Sequence, residues 1–328
     1  MKLSCFHPRY NYLWDFWLIK AMNFYHLYYL QAPRNLGHPD MRHDNAKVGY
    51  AVSPNLLAWS EKGIVLTSGK KGDWDDISIW TGSIIQKQDW YYMFYTARST
   101  QENGKIQRIG LAYSQNLIHW EKFKDNPLIK ADSRWYETLS DSIEGQEHWR
   151  DPFIVYSPKE QLYYAFICAR IKKGQHLERG CIARAVSSDL IHWNVMAPAT
   201  EGGHFQQMEV PDIHFCQNKY YLIFSTDKKW YSKKHREEIQ PLLPQTGAHY
   251  YQSVSLSSTF APNNHHEILL GNYSFAYGSR VIENINHQNI ILSWRYKKTG
   301  IKGFAGCLDQ PKKVIYLADG SLTTINIS

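Results

Sequence analysis

A short segment recurs along the chain and constrains its fold more than any other feature. The segment Gly49–Trp59 (GYAVSPNLLAW) is matched by Gly110–Trp120 (GLAYSQNLIHW) and Ala183–Trp193 (ARAVSSDLIHW), and Tyr251–Phe260 is a weaker fourth copy. In the three clear copies an alternating strand ends at a Ser, and a polar turn, an apolar pair and a Trp follow. The Asn or Asp of the turn can bond to its own backbone, and we expect the Trp to pack between neighbouring sheets.

A second kind of segment, rich in β-branched and aromatic residues, precedes each copy. These runs are Tyr25–Gln31, Trp90–Arg98, Leu162–Arg170 and Lys219–Ser225, with a fifth at Asn289–Arg295. Their composition and their polar boundaries predict strands. Their starts lie roughly 55 to 75 residues apart, a period typical of propeller blades rather than solenoid turns. Helical periodicity is nearly absent, and His235–Ile239 is expected to form at most a turn or two of helix.

Five such units, each of about 65 residues, fill the chain of 328 residues. The prediction is therefore an all-β fold, a single five-bladed β-propeller over residues 1–328 with four-stranded antiparallel blades. Neither a second domain nor a C-terminal β-sandwich is expected. The hairpin signal at Asp319-Gly320 predicts the strand pair that completes the last blade. Residues on the first strands of the blades would meet around the central channel, although they lie far apart in the sequence.

Charge and hydropathy exclude several classes of partner. The formal net charge is +7, but the basic residues form no concentrated stripe, which argues against nucleic acid. No apolar run approaches the roughly 18 residues of a membrane span, and the N-terminus lacks the apolar region of a signal peptide. We therefore expect a cytoplasmic protein that binds neither nucleic acid nor a membrane.

The cysteine and histidine patterns predict neither a disulfide framework nor a metal site. The five Cys are odd in number, widely spaced and without a CxxC pair, so free thiols in a reducing compartment are expected. The 15 His include no HExxH spacing, and His265 and His266 are expected to be an exposed loop pair. No cofactor and no catalytic metal are predicted, and a structural ion in the channel is left open.

Three carboxylates occupy comparable settings in separate repeats. Asp15 lies in Trp14-Asp15-Phe16-Trp17, Asp151 follows Arg150, and Glu209 opens Glu209-Val-Pro-Asp212. Each precedes an aromatic strand, at the predicted start of blades one, three and four, so all three would face one funnel. For Asp151 a simple turn before Pro152 is the alternative.

In this order the motifs resemble those of the furanosidase superfamily of five-bladed propellers, glycoside hydrolase families 32, 68 and 43. Trp14-Asp15-Phe16-Trp17 is similar to the nucleophile motif of levansucrases, and Arg150-Asp151-Pro152 is identical to the Arg-Asp-Pro motif of families 32 and 68. Glu209-Val-Pro-Asp212 resembles the acid/base motif of invertases, with Val210 in place of the family's Cys. Trp80-Thr-Gly-Ser83 and His26–Gln31 resemble two further invertase segments.

The resemblance implies a role for each residue. Asp15 would be the nucleophile, Glu209 the acid/base, and Asp151 the transition-state stabiliser, kept ionised by Arg150. The residues expected to bind substrate are Trp14, Trp17, Gln31, Trp80, Ser83 and Arg150. For the three Trp side chains, core packing is the alternative.

The resemblance also implies the activity, a retaining glycoside hydrolase or transglycosylase that acts on β-fructofuranosides such as sucrose or short fructans by double displacement. One alternative is an arabinofuranosidase of the family 43 type, whose members commonly invert configuration. The other is a propeller that binds carbohydrate or protein without catalysis. The sequence leaves open the sugar, the choice between hydrolysis and transfer, the acceptor and the oligomeric state.

Overall fold

The strands of the computed structural model form five antiparallel sheets, and the model describes residues 5–263, 267–271, 275–284, 286–297 and 303–327. Blade one contains β1 (Asn11–Ala21), β2 (Phe24–Pro33), β3 (Lys47–Ser53) and β4 (Ser60–Leu66). Blade two contains β5 (Ser78–Lys87), β6 (Trp90–Arg98), β7 (Arg108–Ser114) and β8 (Glu121–Lys122). Blade three contains β9 (Trp149–Ser157), β10 (Leu162–Arg170), β11 (Gly180–Ser187) and β12 (Asn194–Met196).

The last two blades follow the same order. Blade four contains β13 (Glu209–Cys216), β14 (Lys219–Thr226), β15 (Gly247–Ser253) and β16 (Ile268–Leu270). Blade five contains β17 (Ala276–Glu283), β18 (Asn289–Arg295), β19 (Cys307–Leu308), β20 (Lys312–Tyr316) and β21 (Leu322–Asn326). The predicted five-bladed, four-stranded propeller is confirmed, with the two-residue β19 as an addition that pairs with β18 beside the main path.

The first strands of the blades form a closed ring. The strand β1 contacts β5, β5 contacts β9, β9 contacts β13, β13 contacts β17, and β17 returns to β1. The ring therefore surrounds a central axis, and residues on these five strands share one central space.

The recurring turn segments hold adjacent blades together. In blade two, Asn116 Oδ1 accepts the backbone N–H groups of Ile118 and His119, at 3.0 and 2.8 Å. The ring of Trp120 then packs edge-on against Tyr28 of blade one, with ring centroids 5.7 Å apart. Trp193 of blade three packs in the same way on Phe94 of blade two, at 5.5 Å. The prediction that these Trp side chains fill the space between sheets is confirmed.

The beginning of the described chain is attached to blade five. Phe6 forms a β-bridge with Leu308, and Cys5 forms a disulfide with Cys307. The expectation of free thiols is therefore wrong for two of the five cysteines, because the fold brings residues 302 positions apart into contact. Cys168, Cys181 and Cys216 are free. Since disulfides are typical of oxidising compartments, the cysteine pattern no longer supports a cytoplasmic location.

Helices are short in the described part of the chain. The α-helix α1 spans Lys233–Glu238, close to the predicted turn of helix, and 3-10 turns span Pro39–His43, His176–Glu178 and Lys228–Trp230. No helix among these residues has the length and apolarity needed to cross a membrane. His265 and His266 lie outside the described residues.

The disulfide predicts a thiol count and a stability change. Thiol titration of the unfolded, unreduced chain should find the three free cysteines, Cys168, Cys181 and Cys216. Cys5→Ser should lower the free energy of unfolding by about 2–4 kcal/mol, because the cross-link closes a long loop. Cys216→Ser, which leaves the disulfide intact, is the control for chemical denaturation. A count of all five thiols would contradict the disulfide.

Candidate active site

The central cavity is lined by all five blades. It has a volume of about 830 Å³, and its wall includes Asp15, Thr81, Asp151, Glu209 and Tyr277, one residue from each blade. This volume falls in the range typical of small-molecule sites, roughly 300–1,000 Å³. The structure thus brings the three predicted carboxylates to one cavity.

A β-bulge in each innermost strand directs these side chains. The strand pairing shifts register between Trp14 and Phe16 in blade one, and the innermost strands of the other four blades shift at corresponding places. Four of the bulges contain a residue with positive φ, namely Asp15 (22°), Asp151 (59°), Val210 (53°) and Gly278 (54°). A bulge re-aims side chains that regular alternation would place elsewhere, and here it presents them to the cavity.

Asp15 is held by two hydrogen bonds that cross to other blades. Thr81 Oγ1 of blade two donates to Asp15 Oδ2 at 2.6 Å, and Trp294 Nε1 of blade five donates to Oδ1 at 2.8 Å. Burial raises the pKa of Asp15, and the nearby charge of Glu209 adds to the rise, while the hydrogen bonds from Thr81 and Trp294 oppose it. The carboxyl group is therefore fixed in orientation and sensitive to the charge of its neighbours.

Asp151 lies in an environment that favours its neutral form more than the sequence suggested. Its Oδ2 accepts the backbone N–H of Val210 at 3.1 Å and lies 3.6 Å from Arg150 Nε. Burial raises the pKa of Asp151 to about 7, with further increases from Asp15 and Glu209, and Arg150 offsets only part of the rise. Arg150 thus favours the ionised form of Asp151, as expected from the sequence, while burial and two adjacent acids act against it.

Glu209 receives one hydrogen bond on each oxygen. Arg150 Nη2 donates to Oε1 at 2.7 Å, and Tyr277 Oη donates to Oε2 at 2.5 Å. The buried Arg150 also donates to Nδ1 of His148 at 2.9 Å, and His148 Nε2 lies 2.9 Å from Glu144. Burial lowers the pKa of His148, so the neutral ring accepts from Arg150 and donates to Glu144. This relay fixes Arg150, which in turn positions Glu209.

The aromatic side of the cavity is formed by Trp14, Trp80 and Trp294. The indole N–H of Trp80 donates to the His43 carbonyl at 2.8 Å, and the guanidinium of Arg98 lies 4.2 Å from its ring centroid. These contacts immobilise the indole plane. Flat apolar faces beside carboxylates are suited to a ligand with both apolar and hydroxyl surfaces, such as a sugar.

The predicted site residues divide into two groups. Trp14, Asp15, Trp80, Arg150, Asp151 and Glu209 line the cavity. Trp17, Gln31 and Ser83 lie in its supporting layer and are nearly fully buried. Trp17 stacks on Tyr28, Gln31 Oε1 accepts from Asn11, and Ser83 Oγ accepts the Ile154 N–H. These three side chains therefore do not reach the cavity, because the strands direct them into the core.

Four contributing residues were missed from the sequence. Thr81 lies inside the motif Trp80-Thr-Gly-Ser83, whose flanking residues were selected instead. Tyr277 and Trp294 belong to blade five, for which the sequence provided a strand but no acidic motif. Trp294 could have been found from its position near the end of that predicted strand. His148 precedes Arg150 by two residues, but nothing in the pattern indicates its bond to the guanidinium.

Below the cavity, a second buried ion pair connects three blades. Arg280 Nη1 lies 3.6 Å from Asp212 Oδ1, and Arg280 Nε donates to the carbonyl of Phe16 at 3.1 Å. Asp212 Oδ2 also accepts the Val281 N–H at 2.9 Å. Burial raises the pKa of Asp212 to about 6, against the opposing charge of Arg280. The Asp of Glu209-Val-Pro-Asp212 therefore supports the ring of inner strands and does not face the cavity.

Comparison with known proteins gives one family and a group of similar folds. The model of the glycosyl hydrolases family 32 N-terminal domain matches residues 6–324. The inulosucrase from Halalkalicoccus jeotgali bound to kestose is 20% identical with a TM-score of 0.79, over 98% of this chain and 90% of that one. The Bacillus subtilis levansucrase is 14% identical with a TM-score of 0.76, over 98% and 87%. The sucrose-6-phosphate hydrolase from Lactobacillus gasseri is 19% identical with a TM-score of 0.76, over 99% and 63%. At these identities the likeness shows the fold.

Gly278 should tolerate no side chain. Its φ is +54°, and an added Cβ would lie 2.5 Å from Trp294 Nε1 and 3.1 Å from Asp15 Oδ1. Gly63→Ala is the matched control, since Gly63 also has positive φ but has nothing within 4 Å of the added Cβ. Both variants should lose about 1–2 kcal/mol from backbone strain, and Gly278→Ala should lose at least about 1 kcal/mol more from overpacking. Equal unfolding free energies for the two variants would contradict the packing around Asp15.

Asp151 should make stability depend on pH in a defined direction. The pKa of Asp151 is about 7 in the folded chain, against an ordinary value of 3.8 for an aspartate, so between these values the folded state binds more protons. The free energy of unfolding must then fall as pH rises. Asp151→Asn removes this penalty, so its stability relative to wild type should grow by about 3 kcal/mol between about pH 4.5 and pH 8. The exposed Asp125→Asn should show no such trend, and a flat difference for Asp151→Asn would refute the assigned shift.

Proposed function

The chain belongs to glycosyl hydrolases family 32, and we propose that it acts on β-fructofuranosides, such as sucrose or short fructans, with retention of configuration. The observation that carries the proposal is the meeting of Asp15, Asp151 and Glu209 at one cavity. A retaining glycosidase needs two carboxyl groups on opposite sides of the scissile bond, one as nucleophile and one as acid/base. Asp15 and Glu209, which come from different blades, supply such a pair.

In the proposed first step, Glu209 gives a proton to the glycosidic oxygen as its bond to the anomeric carbon breaks. An oxygen of Asp15 forms a bond to that carbon and produces a fructosyl ester. The hydrogen bonds from Thr81 and Trp294 hold the Asp15 carboxylate in one orientation, which lowers the entropic cost of attack.

In the proposed second step, Glu209 takes a proton from water or from a sugar hydroxyl. The resulting oxygen nucleophile attacks the anomeric carbon, and Asp15 leaves as a carboxylate. Two inversions give net retention. Tyr277, which donates to Glu209 Oε2 at 2.5 Å, keeps the carboxyl group directed at the reacting oxygen in both steps.

Asp151 is proposed to bind sugar hydroxyls. With a pKa of about 7, it can accept a hydrogen bond when ionised and donate one when protonated. As positive charge develops on the sugar ring, the ionised form is stabilised and in turn stabilises the transition state.

Removing the nucleophile should abolish turnover without unfolding the chain. Asp15→Ala is expected to lower kcat on sucrose or inulin by at least about 10³-fold. Glu209→Gln should cost about 10²–10⁴-fold, and the exposed Glu201→Gln and Asp125→Ala are the matched controls. Turnover by Asp15→Ala near the wild-type level would remove Asp15 from its role.

A substrate panel tests the sugar class. The purified chain should hydrolyse or transfer from sucrose, raffinose, inulin or levan, and product analysis by NMR should find retained configuration. Turnover confined to aryl arabinofuranosides, or inverted product, would favour the family 43 type of activity. Saturable sugar binding without turnover of any glycoside would identify a binding propeller instead.

A further inference from the structure

Glu144 lies at the far end of a hydrogen-bond relay that reaches the proposed acid/base. It belongs to the loop between β8 and β9, outside the ring of innermost strands. Its Oε2 lies 2.9 Å from Nε2 of His148, and Nδ1 of His148 lies 2.9 Å from Arg150 Nη1. Arg150 Nη2 in turn donates to Glu209 at 2.7 Å. Neither the family match nor the proposed sugar chemistry assigns a role to Glu144.

The relay can donate in only one direction. A guanidinium only donates, and an ionised carboxylate only accepts. Nδ1 of His148 must therefore carry the lone pair that faces Arg150, and Nε2 must carry the hydrogen that faces Glu144. The opposite tautomer would place a donor against Arg150 and a lone pair against Glu144, at 2.9 Å in each case. A protonated ring would set a second positive group against the guanidinium.

Glu144 is itself fixed by donors on its other oxygen. Oε1 lies 2.7 Å from Arg170 Nη1 and accepts from Gln206 Nε2 at 2.9 Å. Burial favours the neutral form of Glu144, but the hydrogen bonds that it accepts and the charge of Arg170 outweigh burial, so its pKa lies below the usual range. The carboxylate is thus ionised and can only accept.

Arg170 gives this end of the relay a rigid support. Its side chain is fully buried at the end of β10, where Nε donates to Glu137 at 3.1 Å and Nη1 donates to the Gln206 carbonyl at 2.9 Å. Gln206 precedes β13, the strand that begins with Glu209. Glu144 therefore ties the loop before β9 to blades three and four, and both ends of the relay are attached to the blade that carries the acid/base.

We propose that Glu144 is a positioning residue for the acid/base Glu209. It holds His148 as the Nε2–H tautomer, His148 orients the guanidinium of Arg150, and that guanidinium directs the acid/base at the reacting oxygen. The inference rests on the proposed function, because it takes Glu209 as the acid/base. In other relays a carboxylate behind an imidazole fixes its tautomer, and an amide in its place can leave the wrong one.

Glu144→Gln keeps the shape of the side chain and removes its charge. The amide offers one accepting oxygen and one donating nitrogen, so it cannot accept at both ends as the carboxylate does. Arg170 attracts the oxygen, and the nitrogen then faces His148 and opposes the required tautomer. Because small misplacements of reacting groups can cost about 10²-fold, kcat/KM on sucrose should fall by about 10–10²-fold.

An activated donor separates a positioning role from a merely structural one. The leaving group of p-nitrophenyl β-fructofuranoside departs without a proton, so its kcat/KM, which reports the first step, does not depend on general acid catalysis. Glu144→Gln should therefore stay within about threefold of wild type on this donor. Equal losses on sucrose and on the activated donor would show general damage to the site and would overturn the proposal.

Glu102→Gln is the matched control. The Glu102 side chain is 22% exposed, against 20% for Glu144. It also pairs with an arginine, since Arg108 Nε donates to Oε1 at 2.9 Å. Both variants lose an ion pair, so both should unfold more easily, but only Glu144→Gln should lose kcat/KM on sucrose. A loss of the same size in Glu102→Gln would contradict a specific role for Glu144.

A double-mutant cycle tests whether the effect passes through His148. In His148→Asn the amide Oδ1 can take the place of Nδ1 and accept from Arg150 without help from Glu144. On this background Glu144→Gln should lower kcat/KM on sucrose by less than about threefold, because the residues act in one chain. An undiminished effect on the His148→Asn background would sink the relay.

The tautomer can be read without turnover and without any Glu144 variant. The ring nitrogens of His148 are observed by ¹⁵N NMR in histidine-labelled chain and assigned by their loss in His148→Asn. At neutral pH wild type should show a neutral ring with its hydrogen on Nε2, since burial lowers the pKa of His148. A protonated ring or an Nδ1–H tautomer would overturn the proposal. A chain with the Nε2–H tautomer that turns over no glycoside would overturn the proposed function, and the positioning role with it, by a result distinct from failure of the relay.

Discussion

The site depends on a single backbone device, the β-bulge near the start of each innermost strand. Because side chains alternate between the faces of a regular strand, an unbroken strand could not present Asp15 to the cavity while Trp14 and Phe16 keep their packing. The extra residue, with φ of 22° at Asp15 and 59° at Asp151, turns the carboxyl group towards the axis. Because the five inner strands form a ring, their five bulges direct side chains into the same cavity.

Bringing three carboxyl groups together has an electrostatic cost, and the charged residues around the cavity have to offset it. Three carboxyl groups at one buried cavity repel one another, and burial alone favours their neutral forms. Arg150 beside Glu209 offsets part of this repulsion, and Arg280, which is paired with Asp212, lowers the pKa of Asp15 through its charge. The balance is incomplete at Asp151, whose pKa is raised to about 7. The packing between blades therefore has to offset the free-energy cost of burying these carboxyl groups together.

The sequence was sufficient for the fold, because the period and the turn chemistry act locally. In the three clear copies the Ser, the Asn or Asp and the Trp specify one strand end each, and the five aromatic strand segments predict five blades. The three acids were also accessible, since each lies at the start of a separate unit. The sequence did not show which of the predicted residues face the cavity and which lie behind its wall. Trp17, Gln31 and Ser83 lie behind the wall, and which residues face the cavity is decided by bulges that no local pattern indicates. The Cys5–Cys307 contact and the bonds from Tyr277 and Trp294 depend on ring closure, which is a property of the whole chain.

Whether the bulges direct Asp15 and Glu209 to one anomeric carbon can be tested by trapping the proposed covalent intermediate. Glu209→Gln would be mixed with an activated fructosyl donor, quenched rapidly, digested and analysed by mass spectrometry. We expect a fructosyl ester on the peptide that contains Asp15, released over time by an added small nucleophile such as azide. An ester on a different carboxylate, or turnover of the donor without any covalent adduct and with inverted product, would contradict it.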